Sequence, residues 1–194
     1  MNVKNNKKGF TLVELIIVLA ILATIATIGT TTLLNILPNM RLKSATRDIF
    51  SAMMLTKTEA IKRGAFVAMN FDNTNKTFEV FLDNGGGVSG NAGNGVKDAN
   101  EIFLINPTEL PKNIEFGPVD LNNDGDYSDS GETNEADGIT FTANTLVFSP
   151  KGIPGKADNT LMMGTVGLRA VDSSGNVDRK RSATVSTAGR INLN

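Results

Sequence analysis

Neither cysteine nor histidine occurs among the 194 residues. Without cysteine there is no disulfide staple and no thiolate metal site. Exported domains are free to use disulfides but do not need them, so this absence leaves the compartment open. Without histidine the chain lacks the commonest general base and transition-metal ligand, which argues against a zinc hydrolase or an acyl-transfer triad. Positive charge is not in surplus: the formal net charge is −1, and it becomes −4 once residues 1–9, with Lys4, Lys7 and Lys8, are set aside. That balance argues against a broad polybasic surface for nucleic acid or anionic lipid. There is also no second long apolar run.

The one such run follows a short basic leader. From Phe10 to Gly29 the chain is almost wholly apolar, and about 20 helical residues span a bilayer core of about 30 Å. The lysines before Phe10 predict a cytoplasmic N-terminus with the bulk of the chain outside. A single carboxylate, Glu14, interrupts the run. In lipid it costs about 2.5–3.5 kcal/mol, so such a residue is usually partnered or functional. Its local alternative is to complement the helix N-terminal dipole, worth about 0.3–1 kcal/mol.

Lys7-Lys8-Gly9-Phe10-Thr11-Leu12-Val13-Glu14-Leu15 resembles the type IV prepilin signal. An ordinary secretory signal is cut after its apolar stretch and loses it; here the Gly-Phe junction precedes the stretch. The resemblance implies cleavage between Gly9 and Phe10 by a prepilin peptidase, N-methylation of Phe10, and an assembly role for Glu14. The amine created at Phe10 lies one helical turn from Glu14, so the carboxylate of one subunit can pair with the amine of its neighbour. The same residues also admit an uncleaved signal anchor, or a signal peptide cut near Ala26.

Beyond Gly29, three threonines and Pro38 predict a weakened or kinked segment in a helix that then resumes. Leu42, Ala45, Ile49, Ala52, Met53 and Ala60 recur at three-four spacing, with Arg41, Lys43, Arg47, Lys57 and Lys62 largely off that stripe. Lys62 and Arg63 before Gly64 read as a helix end, giving a helix of about 50 residues in total. From Ala65 the pattern turns to strands. Residues 65–71 and 77–82 flank Asp72-Asn73-Thr74-Asn75 as a hairpin. Further strands are expected at 102–105, 114–116, 138–141, 146–148, 161–171 and 181–186. Gly164 and Gly167 predict a bulge or twist within 161–171. The fold class is α+β: a long N-terminal helix, transmembrane in its first half and amphipathic in its second, packed on an antiparallel β-sheet head. The segments are a leader (1–9), a transmembrane helix (10–29), its amphipathic continuation (30–64) and a β-rich periplasmic or extracellular head (65–194).

Phe66 to Phe71 after the helix, Val147-Phe148-Ser149-Pro150-Lys151-Gly152, and Val185-Ser186-Thr187-Ala188-Gly189-Arg190-Ile191 resemble the pilin-like GspH/FimT family of minor pilins and pseudopilins. The resemblance implies a structural subunit, not an enzyme, and no residues assemble into a catalytic constellation. It implies a pseudopilin of a type II secretion system in the bacterial inner membrane, with a type IV minor pilin for assembly priming or DNA uptake as the alternative. A calcium-regulated periplasmic binding module on an uncleaved anchor is a rival of another class. The implied partners are other pilin or pseudopilin subunits, the prepilin peptidase, an inner-membrane assembly platform and membrane lipid. Some family members take up DNA through a Gly-Arg-x-Arg end; here Gly189-Arg190-Ile191-Asn192 lacks the second arginine, and Arg179-Lys180-Arg181 reads as a solvated strand end.

No cofactor is required by this reading, but calcium is a candidate ligand. Asp120, Asn122, Asp124 and Asp126 place oxygens at alternate positions before and after Gly125, with Asp129 or Glu132 to close a shell. The spacing departs from an EF-hand, whose twelfth position is held by Gly131. No lysine or arginine lies between Lys112 and Lys151 to relieve the repulsion. A second loop, Asn94 to Glu101, matches less well. Solvated acidic turns are the alternative for both.

Overall fold

The computed structural model describes residues 9–85, 91–120, 126, 132–133, 135–172 and 175–194, with the side chains of 28–35 and 178 outside that description. Helix α1 spans Leu12–Arg63, 52 residues, with Pro38 inside it. Proline has no amide to donate to the carbonyl four residues back. The chain divides there into two compact units, Met1–Leu37 and Pro38–Asn194.

In the second unit the helix buries Leu42, Ala45, Ile49, Ala52, Met53 and Ala60, the same stripe the sequence spacing marks. Thr46 and Thr56 lie on that face too, and each donates its hydroxyl to the carbonyl four residues earlier, Leu42 and Ala52, so neither hydroxyl is stranded in the contact. The helix stops at Gly64, whose φ is +60°. Ala65 N–H donates to the Ala60 carbonyl and Gly64 N–H to that of Ile61, both at 3.3 Å. This pair of bonds is the Schellman arrangement, which glycine accommodates without a Cβ penalty.

Among the described residues eight strands follow: β1 (Phe66–Asp72), β2 (Thr77–Asp83), β3 (Phe103–Glu109), β4 (Ile114–Phe116), β5 (Thr145–Phe148), β6 (Gly164–Val171), β7 (Val177–Val185) and β8 (Ile191–Leu193). They form two antiparallel four-stranded sheets, ordered β3-β2-β1-β5 and β4-β6-β7-β8. The β1–β2 hairpin pairs Phe66 with Asp83 through Asp72 with Thr77. Asp72 Oδ1 accepts the Asn75 amide at 2.9 Å and closes the turn.

One core joins the helix stripe to both sheets. Val67, Met69 and Phe71 of β1 and Phe78, Val80 and Leu82 of β2 enter it from the first sheet, at the period of two that a pleat imposes. Val166, Leu168 and Ala170 of β6 and Ala183 and Val185 of β7 enter from the second. Phe71 ties the sheets together, edge-on to Phe116 of β4 at 6.0 Å and stacked on Phe141 at 6.1 Å. A smaller cluster, Ala68, Phe81, Val147 and Met162, sits apart from it.

Four strand expectations are corrected. The strand expected at 102–105 runs on to Glu109 through Pro107, which β3 tolerates because it is an edge strand. Residues 138–141 make only an isolated bridge, Ile139 to Val166. At 161–171 the ladder begins at Gly164, and its register is unbroken past both glycines, shifting only between Ala170 and Val171. The strand expected at 181–186 begins earlier, at Val177. Gly138 and Gly167 meet Gly117 at one close crossing. Gly167 N–H donates to the Gly138 carbonyl at 2.7 Å, and Gly117 N–H to the Gly167 carbonyl at 3.2 Å. A Cβ on Gly167 would stand 2.5 Å from the Gly117 carbonyl oxygen, and one on Gly138 would overlap the Gly117 backbone. Gly138 and Gly167 therefore serve backbone contact, whereas Gly164 faces the side chains of Thr140 and Phe141.

Gly138 also holds φ at +70°. Gly138→Ala should therefore lower the unfolding free energy by about 2–4 kcal/mol, overpacking and left-handed strain combined. Denaturant unfolding checks this; a loss within about 0.5 kcal/mol, the range of ordinary surface substitutions, would show that the crossing relaxes freely.

Candidate assembly segment and acidic loops

At the N-terminal end Thr11 caps α1. Its hydroxyl accepts the Glu14 amide at 3.2 Å, and Glu14 Oε2 accepts the Thr11 amide at 2.9 Å and the Thr11 hydroxyl at 3.1 Å. This is a reciprocal capping box. The Thr-x-x-Glu signature stands in the sequence at Thr11–Glu14, and the dipole argument alone passes over it. Phe10, just outside the cap, is 89% exposed. Past the cap, Leu12, Val13, Leu15, Ile16, Ile17, Val18, Leu19, Ile21, Leu22 and Ile25 are all exposed. They surround the helix, whereas the later part of α1 buries a single stripe. A helix apolar on every side must be covered by lipid or by other protein. Among the described residues no helix is long and apolar enough to cross a membrane. The run read as a span, Phe10 to Gly29, ends at residues 28 and 29, whose side chains lie outside the described set.

The two acidic loops differ. Of the calcium ligands expected in the second, Asn122, Asp124 and Asp129 lie outside the described residues. Asp120 and Glu132 are buried and Asp126 is exposed. Main-chain bonds of 2.9 Å in both directions between Val119 and Thr133 clamp the base of the loop. Lys180 Nζ reaches the Asp120 carbonyl at 3.4 Å, so a cation absent from the neighbouring sequence arrives from β7. Among the described residues no group of three or more carboxylates gathers to hold a metal ion.

In the first loop the carboxylates bind amides. Asp83, at the end of β2 and fully buried, accepts Gly93 N–H through Oδ1 and Gly95 N–H through Oδ2, each at 2.7 Å. Glu101 accepts Gly85 N–H at 3.1 Å and Asp98 N–H at 2.9 Å. Both acids thus fasten the loop between β2 and β3. Asp83 is absent from the expected ligands; the signal for it is a carboxylate ending a strand just before a Gly- and Asn-rich stretch. Burial pushes its carboxyl above the ordinary range, and the charge of Glu101 adds to this, against the amide bonds that pull it down.

The basic run is split by the pleat of β7. Arg179 and Arg181 fall on one face and Lys180 on the other, which leaves no continuous basic strip along the strand. Arg190 is exposed and donates through Nε to Asn192 Oδ1 at 3.1 Å. Lys57 Nζ, from α1, donates to the Gly189 carbonyl at 2.8 Å and pins the turn before β8.

A model of the prokaryotic N-terminal methylation motif matches residues 4–30, and the model of the type II transport protein GspH matches residues 45–189. No curated protein matches. Among solved structures, the type IV minor pilin FimU of Pseudomonas aeruginosa is 14% identical at a TM-score of 0.47, over 80% of this chain and 90% of that one. The minor pseudopilin EpsH from the Type 2 Secretion System of Vibrio cholerae is 13% identical at a TM-score of 0.47, over 79% of this chain and 95% of that one.

Asp83 gives a prediction whose sign is fixed. A carboxyl that holds its proton more tightly when folded contributes most at acid pH. That contribution falls as pH rises from the ordinary value, about 3.9, through the raised one. Asp83→Asn removes this titration, so the parent's stability advantage over the variant should shrink across that window. Unfolding free energies of both proteins against pH measure it, and an advantage that grows with pH would show that the amide bonds outweigh burial.

Proposed function

The chain belongs to the family of the type II transport protein GspH, and from that premise we propose that it is a minor pseudopilin of a type II secretion system, assembled into a periplasmic pseudopilus. The observation that carries this reading is the helix segment Leu12 to Ile25, apolar on all sides and exposed, in one chain with a GspH head. In the membrane, lipid covers the segment; in a filament, the same segments of neighbouring subunits do. The role is structural, not catalytic.

Processing comes first. A prepilin peptidase cuts after Gly9 and methylates the amine of Phe10, within the stretch matched by the methylation motif. The subunit then sits in the inner membrane as a single-pass protein, N-terminus cytoplasmic and head periplasmic, until an assembly platform lifts it out. Glu14 guides docking. In the lone subunit its carboxylate is held by Thr11; in the assembly it meets the cationic amine at Phe10 of the next subunit, which offsets what its insertion costs. A minor pilin of a type IV pilus would use the same parts, and the genes beside this one separate the two systems.

Mass spectrometry of the chain from membranes containing a prepilin peptidase should find Phe10, methylated, at the N-terminus, and Gly9→Val should block that cut. Glu14→Val should insert as well as the parent or better, because it removes a cost of about 2.5–3.5 kcal/mol, yet fail to enter filaments. Intact Met1, a cut near Ala26, or normal assembly of Glu14→Val would each overturn this mechanism.

Calcium at the acidic loop is a separate proposal, supported by the alternating oxygens of Asp120, Asn122, Asp124 and Asp126 with Asp129 or Glu132. An ion at about 100 times its Kd should stabilise the folded chain by about 2.7 kcal/mol. Melting temperatures that are equal in EDTA and in calcium would leave the loop a solvated turn.

A further inference from the structure

Among the described residues, three of the four sheet edges carry a guard that the fourth lacks. On β3, Pro107 and two register shifts against β2 interrupt the edge. The outer side of β5 is covered by residues 153–155: Gly155 N–H donates to the Val147 carbonyl at 2.8 Å, and Pro154 bridges to Phe148. Strand β4, as short as β8, carries a charge on its edge: Glu115 is tied to Lys76 at 3.2 Å and to Arg169 at 2.8 Å. Strand β8 has no proline, and its register with β7 is unbroken from Ala183–Leu193 to Val185–Ile191.

The hydrogen bonds around β8 fix which of its groups face outward. Ser182 and Asn194 exchange main-chain bonds in both directions, at 3.2 and 2.9 Å, and Ser186 N–H donates to the Arg190 carbonyl at 3.0 Å. In an antiparallel ladder such pairs alternate with non-bonded ones. Ile191 and Leu193, opposite Val185 and Ala183, are therefore the non-bonded residues. Their N–H and C=O groups point away from β7, where no further strand of the sheet lies among the described residues. Leu193 is 42% exposed, while Ile191, on the same face, packs against the core.

We propose that β8 pairs antiparallel with β8 of a second copy of this chain, about a two-fold axis at Asn192. The edge is self-complementary. With Asn192 opposite Asn192, Ile191 of each copy stands opposite Leu193 of the other, and these are the residues whose main-chain groups are turned outward. Each such pair exchanges two hydrogen bonds. The same register covers the exposed Leu193 with the Ile191 of the other copy, as cross-strand neighbours on one face. The contact is isologous, so it closes on two copies and does not propagate. It stands on the register of β7 and β8, independently of the docking assigned to Glu14.

The chain has no native cysteine, so Asn192→Cys in the full-length protein in detergent micelles places one thiol on the proposed axis. Non-bonded antiparallel neighbours have Cα atoms about 4.5 Å apart, within the range a disulfide spans. Under mild oxidation the disulfide-linked homodimer should form at least about tenfold faster than with Thr187→Cys, an exposed site off the axis, because a standing pair concentrates the thiols. Adding Leu193→Pro, which removes an outward amide and no bond to β7, should return the rate to that of Thr187→Cys. Leu193→Lys, which keeps the amide and sets a charge beside the edge, should do the same and serves where the proline variant melts early. Equal rates at positions 192 and 187, or a fast rate at 192 that both Leu193 variants leave unchanged, would overturn the pairing. Either result leaves the processing and Glu14 experiments unaffected, since those read the N-terminal segment.

Discussion

The contact between one helical stripe and two sheets organises the head. Leu42, Ala45, Ile49, Ala52, Met53 and Ala60 are small or unbranched at Cβ except Ile49, so the helix packs closely while keeping good helix propensity. Among the described residues neither sheet has another apolar layer of comparable size: the cluster of Ala68, Phe81, Val147 and Met162 is minor beside the shared core. A sheet must bury its apolar face against another element, and here the same surface serves both. Replacing Met53 or Ile49 by alanine would therefore weaken two sheets at once, and hydrophobic truncations of this kind cost about 2–5 kcal/mol.

Much of the fold was legible because its signals are local and periodic. The stripe on α1, the cations and glycine that end it, and the turn at Asp72 each lie within one segment. The structure places all three where spacing predicts. What the sequence did not reveal depends on distant segments meeting. The pattern implied one sheet, and there are two. Gly164 and Gly167 read as a bulge, and Gly138 as the start of a strand, until Gly117 arrives from elsewhere in the chain, after which Gly138 and Gly167 are sites of backbone contact. Strand β8 is three residues long and escapes any periodicity test.

The functional residues divide in the same way. The Thr11–Glu14 pair at the start of α1 is readable since its spacing at a helix end is its geometry. Even so, the dipole view of Glu14 understates its local role, because the bonds with Thr11 are specific. In the head, alternating oxygens suggest a metal loop. Spacing alone does not tell a carboxylate that awaits an ion from one that already holds backbone amides. Asp83 and Glu101 are of the second kind. The approach of Lys180 to Asp120 likewise could not be read from neighbouring residues.

The orientation of the buried stripe has a mechanical consequence. From Leu42 to Ala60 its contacts run along the helix for about 27 Å. A pull along the helix axis would load these rows together, in shear, instead of peeling them one at a time. The bond from Lys57 to the Gly189 carbonyl lies within the same span, so it would share that load and would not be the first link to part. Traction on the helix is thus spread over the whole contact, and the head moves with the helix as its cargo.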